Sequence, residues 1–110
     1  MDKELLFKPR LTEADVEIPG VGVVRVRALN RAEAMKVEGT KGTEARERVI
    51  LSLGSVDPEL TEAEVGRWQQ AAPAGELQPV ALRIAELSGL LENAPKEAVE
   101  TFRGEPGDGV

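Results

Sequence analysis

The sequence predicts a mainly α fold, with an N-terminal β-hairpin followed by about five short helices in one compact domain. Three observations carry that expectation. Apolar and charged residues alternate with period two between residues 13 and 28. Beyond residue 28 the apolar residues recur at helical spacing, behind two capping boxes, Asn30/Glu33 and Thr61/Glu64. Glycine and proline clusters at 39–42, 57–58 and 73–75 cut this stretch into segments of helix length. The chain has 110 residues, room for one domain, expected over residues 1–103 with a loose tail at 104–110.

Residues 1–12 are expected to form an extended arm, because Lys8-Pro9-Arg10 interrupts any helix begun by Leu5 and Leu6. In the next segment Ala14, Val16 and Ile18 alternate with Asp15 and Glu17, and Val24, Val26 and Ala28 alternate with Arg25 and Arg27. A two-residue turn at Gly20-Val21 would set Val16 opposite Arg25 and put the two faces out of phase. A loop of Gly20 to Gly22 pairs Ile18 with Val24 and Val16 with Val26. It also sets Glu17 against Arg25 and Asp15 against Arg27. Gly22 then occupies the loop position that favours a left-handed backbone, so this register is the expected one.

Asn30 and Glu33 open a helix over about 31–38. Thr43 is read as the cap of a second helix that places Ala45, Val49, Leu53 and Val56 on one face and stops at Asp57-Pro58. Thr61 and Glu64 open a third, with Leu60 and Val65 as a hydrophobic staple and Val65, Trp68 and Ala72 aligned. The longest helix spans about 76–88 and carries a stripe of Leu77, Val80, Ala81, Ile84, Leu87 and Leu91. Pro79 is tolerated within its first turn, where the backbone N–H has no helical partner. Gly89 ends it. A last short helix, capped by Asn93, would turn Ala94, Ala98, Val99 and Phe102 inward.

Composition narrows the function. Fourteen basic residues face twenty acidic ones, a net charge of −6, and the arginines are interleaved with carboxylates, so no basic face offers itself to nucleic acid. The chain has no cysteine and no histidine, which removes thiolate chemistry and the commonest general base and metal ligand. Leu5-Leu6-Phe7 is too short for a signal-peptide core, and no apolar run approaches a membrane span, so a soluble protein kept inside its cell is expected.

Candidate chemistry is sparse. Asp57, Glu59, Glu62 and Glu64 lack the spacing and turn glycine of a calcium loop and belong at a helix N-terminus on electrostatic grounds. Ser52, Ser55 and Ser88 have no histidine to activate them. Gly20-Val21-Gly22 sits in a hairpin and not before a helix, so it reads as a turn. No catalytic residue, cofactor or metal ligand is assigned. The candidate protein-contacting residues are Arg25 and Arg27 on the hairpin, Trp68, and Leu87 and Leu91 at the far end of the longest stripe. Trp68 reads as core more readily than as an interface anchor, and both readings stay open.

The order of features resembles a known family. The hairpin, Leu29-Asn-Arg-Ala-Glu-Ala-Met35, the segment Glu47 to Trp68, the run Ala72 to Leu90 and the close Lys96 to Pro106 are together similar to tail assembly chaperones of long-tailed bacteriophages, above all those of actinobacteria. The likeness spans residues 13–106 and rests on caps, turns and core positions. It implies a partner, the tape measure protein, kept soluble in the host cytoplasm until tail tube subunits replace the chaperone, which is absent from the finished virion. It also implies self-association, with the hairpin edge as one surface, and association with a longer, frameshifted form. It supplies no active-site residues. Two other classes compete: a structural tail or connector protein, and a small host adaptor or antitoxin-like module.

Overall fold

A computed structural model describes residues 1–90. The expected Asn93 helix, the 104–110 tail and Leu91 lie outside the described residues. The elements in chain order are α1 (Glu4–Phe7), β1 (Glu13–Ile18), β2 (Gly22–Arg27), α2 (Arg31–Glu38), α3 (Thr43–Gly54), β3 (Ser55–Asp57), α4 (Glu62–Ala71) and α5 (Leu77–Leu87). The strands form one antiparallel sheet in the order β1-β2-β3, which makes β2 central. Among the described residues there are five helices and a three-stranded antiparallel sheet, so the expected N-terminal hairpin is present and the fold is mixed α/β rather than purely α.

The strand missing from the sequence reading is β3. Helical spacing extended the second helix through Val56, but α3 stops at Gly54, and Ser55 is extended at φ −83°, ψ 126°. Pro58 disfavours a helical Asp57, and β2 offers a row of unpaired backbone groups on that side. Asp57 therefore pairs with Arg25 and Ser55 with Val26, across a register shift. The buried face of α3 is correspondingly broader than the expected stripe. Val49, Ile50, Leu51 and Gly54 are buried, Leu51 completely, because α2, α4 and α5 all pack on this helix. Thr43 is not a cap but the first helical residue; Gly42, at φ 93°, occupies the cap position.

The arm is not wholly extended either. Glu4–Phe7 makes one helical turn, and the chain becomes extended at Lys8, just before Pro9. No residue of this turn is buried.

In the hairpin the two inner faces are as expected, but the register is not. The structure pairs Val16 with Val24, Ala14 with Val26, Asp15 with Arg25 and Glu17 with Val23. Pro19-Gly20 is the reason. Proline pre-sets the first central position of a type II turn and glycine alone readily takes the second, at positive φ. Gly20 sits at φ 78°, and the Val21 amide donates to the Ile18 carbonyl at 3.0 Å. The loop is still three residues long but begins one residue earlier, which shifts the pairing by two and leaves inside and outside unchanged. Cross-strand NOEs should therefore link Val16 to Val24 and Ala14 to Val26; a Val16–Val26 pair would restore the other register.

The helix-starting chemistry follows the sequence closely. Asn30 accepts from the Glu33 amide at 2.8 Å while Glu33 Oε1 accepts from the Asn30 amide at 3.0 Å. Thr61 and Glu64 repeat the exchange at 3.1 and 2.9 Å. Pro79 falls in the first turn of α5, and Gly89 follows its end at φ 78°. Ser88 closes the far end: its Oγ accepts from the Leu29 amide at 2.7 Å and donates to the Ile84 carbonyl at 2.6 Å.

One core joins sheet and helices. Ile18, Val24 and Val26 from the hairpin meet Leu29, Ile50 and Leu51, Val65 of α4, and Leu77, Val80 and Ile84 of α5. The α5 stripe supplies three of these residues, which explains why helices cover the inner face of the sheet while its outer face carries the charges.

Candidate functional site

The outer face of the sheet holds an ion-pair array. Arg25, on the central strand, donates to Glu13 at 2.6 Å and to Asp15 at 2.9 Å. These hydrogen bonds and nearby carboxylates raise the Arg25 pKa above its ordinary value. The pairs are exposed and serve the solubility of this face more than its stability.

Arg27 behaves differently. Its guanidinium grips the Glu33 carboxylate with both ends, at 2.9 and 2.7 Å, and also reaches the Ala28 carbonyl at 2.9 Å. Glu33 thus serves the cap of α2 and the sheet at once. The Arg27 hydrogen bond is the largest influence holding the Glu33 carboxyl below its usual pKa; burial opposes it, and the Asn30 amide helps it. Arg27 is engaged within the fold.

The apolar surface lies at the opposite end of the hairpin. Ile18, Val21, Val24, Pro58, Leu60 and Trp68 line an entirely apolar hollow of about 230 Å³. Type II turn geometry holds Val21 out at its lip, 72% exposed. A second cleft of about 290 Å³ adjoins it at Ile18 and runs past Val16, Pro79 and Val80, with Glu17 and Glu76 on its rim. The Trp68 indole N–H donates to Glu76 Oε2 at 2.8 Å and joins the two walls. Trp68 is half-buried, packed on the common core inside and bordering the hollow outside.

No protein-family model, curated protein or solved structure matches this chain.

Of the candidate residues, Trp68 lies in this groove, while Arg25 lies on the outer face of the sheet. Leu87 is partly buried against the core and is not among the residues lining the groove. Leu91 is outside the described residues. The groove residues missed by sequence reading are Val21, Pro58 and Leu60. The available signal was Val21, an apolar residue at the tip of a Gly-bounded turn, where no core position exists. Among the described residues no cluster of acidic side chains is arranged to hold a metal ion, and no helix is long and apolar enough to cross a membrane.

Tryptophan fluorescence reads this environment. Emission of the folded chain should be blue-shifted from that of free indole in water, and Glu76→Ala should move it to the red by freeing the ring. Water-like emission from the folded wild type would mean that the ring does not rest on the core.

Proposed function

We propose that this chain is a protein-binding chaperone of the phage tail assembly type, which holds apolar segments of the tape measure protein until the tail tube is built. The observation that carries this reading is the Trp68 groove, an apolar hollow with carboxylates on the adjoining rim. A groove of this kind suits the apolar face of an amphipathic helix, the segment type a long helical client repeats many times. The net charge of −6 keeps a chaperone–client complex dispersed by repulsion. The resemblance over residues 13–106 supplies the identity of the client and the expectation of a longer, frameshifted partner form.

Co-expression with the cognate tape measure protein tests the reading. The client's soluble fraction should rise, with several copies of the chain on each client, and Val21→Asp should abolish the gain without unfolding the chaperone. An unchanged client solubility with either form, together with recovery of the chain in purified particles, would make it a structural tail protein instead.

A further inference from the structure

The segment preceding β1 is apolar, preformed and uncovered. Leu6 and Phe7 are 56% and 67% exposed. Arg10 holds the turn that displays them, donating to the Leu5 and Lys8 carbonyls at 2.8 and 3.0 Å. A knob already folded loses little conformational entropy on docking. Its charge is opposite to that of the body. Residues 1–11 carry three cations, Lys3, Lys8 and Arg10, against Asp2 and Glu4, whereas residues 12–90 carry nine cations against thirteen carboxylates. Lys8 and Arg10 stand one and three residues after Phe7, and Glu17 and Glu76 line the cleft that adjoins the apolar hollow at Ile18.

The arm is directed away from the groove of its own chain. The Ala28 amide donates to the Thr12 carbonyl at 2.8 Å, which continues the hairpin ladder past Glu13 and fixes the exit of the arm at the Arg27 end. The arm lies there beside Asn30 and Arg31. The groove is at the Ile18 end, six strand residues or roughly 20 Å away. Pairing through the free edge of β1 is a poorer route to association, since Glu13, Asp15 and Glu17 share one exposed face and would meet their own copies.

We propose that the 3–11 arm of one copy docks into the Trp68 groove of a second copy, with Leu6 and Phe7 in the apolar hollow and Lys8 and Arg10 against Glu17 and Glu76. Such a contact is heterologous: each copy still presents one free arm and one free groove, so association is open-ended. In the free chaperone the arm then occupies the surface that a client takes. The inference concerns the chain without client, and its test needs no tape measure protein, so the two readings can fail separately.

Sedimentation velocity of the full chain from about 5 to about 500 µM brackets the expected micromolar affinity. Average mass should rise with concentration past the dimer and fall with added salt, which screens the arm-to-rim pairs. An arm variant, Leu6→Asp with Phe7→Asp, and a groove variant, Glu17→Lys with Val21→Asp, should each be monomeric with unchanged circular dichroism, since all four side chains are exposed. Mixed one to one, they should form a dimer and nothing larger, because one intact arm meets one intact groove and the chain of contacts then ends. A wild type that stays monomeric, as it would if its own residues 91–110 filled the groove, overturns the proposal. So does association that survives in the arm variant, or a mixture that fails to pair.

Discussion

Gly54→Ala should destabilise the chain by roughly 1–3 kcal/mol, the range for overpacking a filled core. A Cβ at this position would stand 2.5 Å from Ile84 Cδ1, 2.8 Å from Cγ2 and 2.9 Å from Cγ1. Ile84 cannot simply swing aside, since it is completely buried where α5 packs on α3 and the sheet. Gly54 is thus the point at which α3 and α5 approach closely. Ile84→Ala by itself should cost about 2–5 kcal/mol through the cavity it leaves. Combined, the two substitutions should cost clearly less than their sum, because alanine at 84 removes the atoms that the new Cβ would strike. Urea unfolding followed by circular dichroism measures all three. A Gly54→Ala variant as stable as wild type would mean that the helices are not this close.

The second large effect concerns Arg27 and Glu33. Glu33→Gln keeps the capping box, which accepts glutamine as well as glutamate, yet removes the charge that Arg27 grips. A double-mutant cycle with Arg27→Met should return a coupling of about 1–2 kcal/mol, above that of exposed pairs because the carboxylate is largely shielded and held at two points. The effect depends on pH with a definite sign. The Glu33 carboxyl titrates lower in the folded chain than in the unfolded one, so folding favours its ionised form. The contribution is therefore complete above the ordinary glutamate value of about 4.3 and is lost as pH falls from there through the folded value. Wild type and Glu33→Gln should differ by a constant amount at neutral pH and converge in that acidic window. A difference that persists unchanged at pH 3 would locate the effect in the cap, not in the ion pair.

Part of the candidate site was legible in residue order. The helical spacing of Val65, Trp68 and Ala72 already points Trp68 toward the core, on which it packs; that its other side borders a hollow is not visible in the spacing. Arg25 and Arg27 look alike in the sequence, as alternate residues of one strand, but one lies over Glu13 and Asp15 while the other is drawn to α2. Nothing in the local pattern separates them, because Glu33 is a helix cap whose second duty exists only once α2 has docked on the sheet.

The features that residues determined by themselves are those decided within four or five positions along the chain. Side-chain acceptors three residues ahead of free amides set the two capping boxes. Alternation of period two set which faces of the hairpin point inward, and Pro79 and Gly89 marked the two ends of α5. The tertiary structure decided the rest. It decided β3, because an unpaired edge of β2 outweighed the helical period of Val56. The shift of register by two residues was also beyond the alternation pattern, which is equally satisfied by either pairing; there the Pro19-Gly20 turn and the packing together selected one. The groove at Trp68 is likewise a product of assembly. Its walls come from residues 18–24, 58–60 and 68, and apolar residues so far apart in sequence form a surface only where three elements fail to close completely over one another.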